Sequence, residues 1–463
     1  MPRINPFIRP TYQFAGLLAV LACLFFMGGS SRNDVQSLTV LYPAAILACG
    51  AALLTINSGH CHQHRWLLAG TVGLFGLILL YLTPLPISMP NLSQGHLDLA
   101  IVRGVTGTLS SQHTFTIALA DTWEPVFFLS APLAVILFGI QLDYSDLRLT
   151  VPLVIAIGVV SGLIAILQTT GAPDGPMYFY RITNTGGAVG FFANRNHAAV
   201  FLACLFPMLV FAATRSNSTQ QFLRNPWHLA SMAIAVFLVP LVLVTGSRSG
   251  IVTAIIGLAG GLFLYLSLGT SDRRSKVAKA PHLLIAAMAV ICLAAVTAYF
   301  SRAEAIDRLF FEGETLDYRT DYWVSSLPMF MHYYPFGFGP GSFVVAFQNA
   351  EPTFLLSGAH LNRLHNDWLE IVLTYGIPGI FAILAGCACY VRRTYVLWMR
   401  MDGARSAVAM GRMASVVIVI MAIASISDYP LRTPAMAGLA ALVLVWFVHA
   451  CDRKPVLAKQ INY

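Results

Sequence analysis

Runs of about 18 to 20 predominantly apolar residues recur along this chain, each long enough to cross a ~30 Å hydrocarbon core as a helix. In lipid the backbone must satisfy its own hydrogen bonds, so such runs are helices rather than open strands. They fall at 12–29, 38–56, 66–83, 125–142, 149–168, 197–214, 227–245, 250–268, 282–300, 367–390, 413–427 and 433–450. The eleventh is the shortest, and extension toward Gly411 would lengthen it. A chain that is 57% hydrophobic and 10% charged, with mean hydropathy +0.71, is no soluble domain. The expected fold is an all-α polytopic membrane protein of about twelve transmembrane helices, with a large outer loop containing short surface helices.

Charge placement supports that count. With both termini cytoplasmic, the inner side holds eighteen Lys and Arg and five acids, and the outer side ten Arg and fifteen acids. The two sides then carry +13 and −5, which make up the formal +8. This is the positive-inside pattern, so the basic balance reflects topology and not nucleic-acid binding. The first apolar run ends in Met27-Gly28-Gly29-Ser30 without a small-residue cleavage site and reads as an uncleaved span. None of the eight cysteines lies in an outer loop, and none has metal-ligand spacing.

Inner connections are short and basic. The polar sequence collects in four outer segments, 84–124, 169–196, 246–249 and above all 301–366. No internal repeat is evident, in contrast to the paired halves of many transporters. In the longest loop, Asp317 to Met331 has helical spacing, with Leu316, Trp323, Leu327 and Phe330 on one face, as for a helix lying on a membrane surface. Tyr333-Tyr334-Pro335-Phe336-Gly337-Phe338-Gly339-Pro340-Gly341 breaks it, and a second short helix follows Ser342, whose side chain is placed to cap it. With almost no aliphatic core of its own, the loop is expected to pack on the bundle as a lid.

His365 is the first candidate for chemistry. Asp367-x-x-Glu370 has capping-box spacing, so a helix starting at Trp368 would put His365 and Asn366 at the water–lipid boundary. A neutral imidazole there can serve as general base; the plainer reading is a histidine that only hydrogen-bonds a neighbour. Arg248, in the tight turn Gly246-Ser247-Arg248-Ser249-Gly250, suits an anionic phosphate at a helix start, or reaches for lipid headgroups. Arg319 stands four residues before Trp323, where stacking on the indole or pairing with Asp317 or Asp321 explains it without function. Arg195 and Asn196 follow a glycine-rich stretch and offer groups for sugar or phosphate oxygens, or a helix cap. Asp428 and Arg432 have the spacing of a local ion pair. Nucleophile elbow, P-loop, zinc motif and cytoplasmic DxD pair are all missing, which argues against a soluble nucleotide-sugar transferase fold.

Together the motifs resemble the O-antigen ligase and polymerase superfamily of bacterial envelope enzymes. The resemblance covers roughly 185–435 and rests on Phe192-Ala193-Asn194-Arg195-Asn196-His197, Thr245-Gly246-Ser247-Arg248-Ser249-Gly250, Arg319-x-x-x-Trp323, Pro335 to Phe343, and His365-Asn366-x-x-Leu369 running to Gly376-Ile377-Pro378-Gly379. Three parts follow: N-terminal spans at 1–180, a ligase-like core at 181–435 with outer loop 301–366, and a last span with its tail at 436–463. The resemblance implies metal-independent, inverting transfer of a glycan from undecaprenyl diphosphate, without a cofactor, on the periplasmic face of the inner membrane. The acceptor is a glycan, lipid A–core or protein. His365 corresponds to the proposed base, Arg248 and Arg319 to the arginines that engage the diphosphate, and Asn366, Arg195 and Asn196 to further substrate contacts. Arg195 departs from the pattern, since relatives commonly carry proline there.

A ligase and a polymerase share this scaffold, and one sequence does not fix the acceptor. The non-enzymatic alternative is a twelve-span transporter of a small anion such as bicarbonate, which predicts midplane ion sites and repeat symmetry. A shape-and-division cell-wall polymerase would carry a different acidic motif in its outer loop.

Overall fold

The computed structural model describes residues 11–85, 92–105, 113–172, 175–213, 226–267, 319–356, 361–400 and 405–452. They form an all-α polytopic membrane protein. Among them the apolar helices are α1 (Tyr12–Met27), α2 (Leu38–Leu53), α4 (Arg65–Leu82), α6 (Trp123–Gly139), α7 (Tyr144–Thr170), α8 (Arg195–Ala213), α9 (Pro226–Val244) and α10 (Arg248–Ser267), then α13 (Asp367–Met399), α14 (Arg405–Ser427) and α15 (Pro434–Asp452). Eight are long and apolar enough to span a bilayer, and α1, α2 and α6 are shorter apolar helices. These eleven coincide with eleven of the expected spans; the other, 282–300, lies outside the described residues. The remaining helices are α3 (Ser58–Gln63), α5 (Gln94–Val105), α11 (Arg319–His332) and α12 (Phe343–Ala350). A two-residue antiparallel pair, Pro84–Leu85 with His113–Thr114, is the only strand pairing among the described residues.

Helices α8 and α15 form the centre and are buried along most of their length. Without a hydrophobic drive between helices in lipid, small residues decide how closely they approach. Gly250 and Gly257 of α10 face Ala199 and Ala203 of α8 with no room for a Cβ. The core contains residues from all three sequence-defined parts, from Leu17 through Phe201 to Trp446. At one end of the bundle Asp452 receives Arg393 (2.9 Å) and lies 3.5 Å from His64, while Arg400 donates to the carbonyls of Ala450 and Cys451. Arg412 donates there to the carbonyls of Trp398 and Arg400. This polar turn lets α14 begin at Arg405, eight residues before the expected 413.

The opposite end carries the lid, which has an aromatic rather than aliphatic core: Met329, Tyr333, Phe338, Phe343 and Phe347, closed by Leu364 and by Leu373 of α13. Two details differ from expectation. Trp323 and Phe330 pack inward while Leu327 is exposed beside Val324 and Met331, so the outward stripe of α11 is a different face; Leu316 lies outside the described residues. Ser342 stands at the start of α12 but does not cap it, because its hydroxyl is bonded to Thr116 Oγ1 (2.8 Å).

The lid docks on a break in α13. Gly376 adopts φ +58°, ψ −137°, a conformation that glycine reaches readily and other residues do not. The break frees carbonyls that take outside donors: Gly339 N–H bonds Thr374 (2.9 Å), and the Tyr81 hydroxyl bonds Tyr375 (3.1 Å). Ile377 N–H in turn bonds the Pro335 carbonyl (2.9 Å). Irregular backbone at such depth persists only where protein satisfies it. A Cβ at Gly376 would collide with the Pro335 carbonyl, whereas one at Gly386 of the same helix meets nothing within 4 Å. Gly376→Ala is therefore expected to lose about 1–3 kcal/mol to backbone strain alone, read as a lower melting temperature in detergent. Gly386→Ala should melt as the parent does.

Candidate active site

Asp428 follows α14 directly, has no exposed surface, and organises the lid end of the bundle. Nδ1 of His365 lies 3.3 Å from its Oδ1, and Nε2 of His197 lies 3.7 Å from the same oxygen. Asn196 Nδ2 donates to Oδ2, and the Tyr429 amide donates to Oδ1 (2.9 Å). The Tyr429 ring sits edge-on to both imidazoles, with centroids 4.6 Å from His365 and 5.2 Å from His197. Burial pushes the Asp428 carboxyl up, but the two imidazoles facing it outweigh that and hold it well below the usual carboxylate range. It is thus an ionised group, aimed at one ring nitrogen of a histidine whose side chain is 24% exposed. The His365 contact is off-line for a hydrogen bond, a looseness common before substrate closes a site.

The backbone holds His365 in an unusual conformation. Its φ of +57° makes it the only non-glycine residue with positive φ among the described residues. Such strain persists only where neighbours over-determine it, and it collects at functional sites. On one side the Leu364 N–H is held by Glu370 Oε2 (3.0 Å), and Trp323 Nε1 donates to the Leu364 carbonyl (2.9 Å). On the other side Asn366 caps α13 by accepting from Leu369 N–H (3.0 Å).

That cap corrects the expected capping box: helix α13 starts at Asp367, and its acids are used elsewhere. Asp367 Oδ1 takes Arg432 Nε (3.0 Å), and Glu370 Oε1 takes both Arg432 Nη2 and Arg363 Nη1 (3.3 Å each). Arg363 extends toward Glu124 (3.9 Å), which receives the Tyr42 hydroxyl (3.5 Å). The expected local Asp428–Arg432 pair is replaced by this network. Residues 430–432 form one 3₁₀ turn that sends the two side chains to different partners.

The other expected residues gather at the same end. Arg319 donates through Nη1 to the Ser427 carbonyl (2.9 Å), one residue from Asp428. The Arg195 N–H bonds Asn184 Oδ1 (2.9 Å), and its guanidinium reaches the turn at Gly246. Arg248 is exposed and opens α10 beside the first turn of α8, where the Ser247 hydroxyl accepts from Gly250 N–H (2.9 Å). Four connections between the apolar helices thus bring arginines, amides and an Asp–His pair to one end. Asp428, Tyr429 and the Arg432 network were not singled out in the sequence as parts of a site, because their partners are distant along the chain. Among the described residues no group of three or more His, Cys, Asp or Glu is arranged to hold a metal ion.

Residues 233–384 match the family model described as O-antigen ligase. The stretch contains Arg248, Arg319, His365 and Asn366, and excludes Arg195, Asn196 and Asp428. No curated protein matches the sequence.

Proposed function

We propose, for a chain of the O-antigen ligase superfamily and thus a ligase- or polymerase-type membrane glycosyltransferase, that it moves a glycan from undecaprenyl diphosphate to an acceptor hydroxyl. The reaction takes place on the periplasmic face of the inner membrane, with both termini cytoplasmic, and inverts the sugar. The observation that carries this reading is the Asp428–His365 pair at the arginine-rich end of the bundle. Asp428 fixes the Nδ1–H tautomer, leaving Nε2 as the base that takes the proton of the attacking hydroxyl. The hydroxyl oxygen bonds the anomeric carbon from the face opposite the diphosphate, and the glycosyl–oxygen bond to phosphate breaks with its electrons on the leaving group. Arg248 and Arg319 neutralise that developing charge, a role guanidinium fills without a metal. Arg195, Asn196 and Asn366 complete the polar surface; Asn196 also steadies Asp428, and Asn366 starts α13.

The test replaces Arg248 and Arg319 by alanine, singly, in the native host, at matched membrane levels. Each is expected to lower transfer about 10²–10³-fold, with loss of the mature glycan and build-up of its undecaprenyl-linked precursor. Accumulated long chains identify a ligase, and accumulated single repeats a polymerase. Unchanged glycans in both variants would sink the enzyme reading and favour the anion transporter.

A further inference from the structure

The first outer loop, which the family match does not reach, belongs to this site. Gly28 and Gly29 are stitched into its floor: the Gly28 carbonyl accepts from Ala435 N–H (2.9 Å), and the Gly29 carbonyl accepts from Ala193 N–H (3.1 Å). The Gly29 N–H donates to the Tyr180 hydroxyl (2.7 Å), and a Cβ at Gly29 would run into the Phe191 carbonyl. The Ser37 hydroxyl bonds the Met27 carbonyl (2.6 Å) and closes the loop at its base. The loop is thereby anchored at Ala193 on one flank and at Tyr429 on the other, with Ser31 against the Tyr429 side chain.

From this pinned loop Arg32 makes a two-point contact with Asp34, Nε to Oδ1 at 2.8 Å and Nη2 to Oδ2 at 3.0 Å. Arg181 brings a second guanidinium to 4.0 Å from Asp34. The side chain of Asp34 is 50% exposed and that of Arg181 87%. An exposed pair of this kind contributes little to stability, so its members can exchange partners with a ligand at little cost to the fold. A half-open carboxylate flanked by guanidinium forks offers acceptors and donors together, which is what neighbouring sugar hydroxyls require. Asp34 already occupies the two-donor face of Arg32 that a phosphate would need, which separates this corner from Arg248 and Arg319.

We propose that Arg32, Asp34 and Arg181 form a sugar-hydroxyl subsite on the rim of the Asp428–His365 centre, and that it grips the glycan and not the diphosphate. This rests on the glycosyl-transfer reading. The test measures binding by native mass spectrometry with three probes: bare undecaprenyl diphosphate, the host's undecaprenyl-linked glycan, and that glycan released by mild acid. Arg32→Ala and Asp34→Asn are each expected to weaken glycan binding about tenfold, with the bare carrier unaffected. Loss on the linked glycan assigns the subsite to the donor; loss on the released glycan alone assigns it to the acceptor. Equal loss on the bare carrier would overturn the proposal in favour of phosphate binding, and unchanged binding of all three would overturn it outright. A parent protein that binds none of the probes would instead overturn the transferase reading on which the subsite rests.

Discussion

His365→Ala is expected to lower the transfer rate by about 10²–10⁴ while donor binding survives, because the arginines and the sugar contacts stay in place. The measurement is turnover of undecaprenyl-linked glycan by purified protein in nanodiscs, alongside donor affinity. Glycine at this position separates chemistry from strain. It takes φ +57° at no cost, so His365→Gly should be at least as stable as His365→Ala and equally inactive. A variant that keeps more than a tenth of the parent rate would remove the histidine from the chemistry.

Asp428→Asn tests how the base is set. It keeps the shape but withdraws the charge that selects the Nδ1–H tautomer, so the rate should fall nearly as far, with substrate affinity little changed. The pH dependence has a defined sign. Asp428 is held below its ordinary range, so its ionised form stabilises the fold fully above the unfolded carboxylate value of about 4. That contribution is lost only as pH falls through the lower folded value. The stability gap between parent and Asp428→Asn should hold from neutrality to about pH 4 and narrow below it. A gap that closed at pH 6 would mean that the carboxylate is not held low.

The membrane-spanning helices were legible because length and apolarity alone decide them. The early start of α14 was not, because Arg412 looks like a loop residue until Trp398 and Arg400 supply carbonyl acceptors. At the site, the residues with local signatures were readable: the histidine before a helix, the arginine in a Gly-Ser turn, the arginine four before a tryptophan. Their partners were not. Four-residue spacing pairs side chains only on an α-helix; Asp428 and Arg432 straddle a 3₁₀ turn, and Arg432 finds Asp367 65 positions away. The capping-box pattern was misplaced by one residue, which left Asp367 and Glu370 looking like helix starters when they hold an ion network.

That network carries the largest expected loss of stability. Asp367 and Glu370 are almost wholly buried, with side chains 6% and 2% exposed, and Arg432 is shared between them. Burial disfavours the Arg432 charge, yet Glu370 and Asp367 hold it charged well above the ordinary range. Arg432→Met fills similar space but strands the Asp367 carboxylate in a low-dielectric interior and leaves Glu370 with Arg363 alone, at a cost of about 3–5 kcal/mol. Little extractable, monodisperse protein should remain, against a control of exposed Arg392→Met at the opposite end. The damage should extend to the chemistry. Glu370 holds the Leu364 amide as well as Arg363, so a carboxylate released from Arg432 loosens the strained peptide that presents His365. Combining Arg432→Met with Asp367→Asn and Glu370→Gln removes the uncompensated charge and should recover most of the folded protein. Activity should not return with it, because the neutral amide that replaces the Glu370 carboxylate no longer anchors Arg363 beside the Leu364–His365 strand. Recovery of both together would mean that the network serves stability alone.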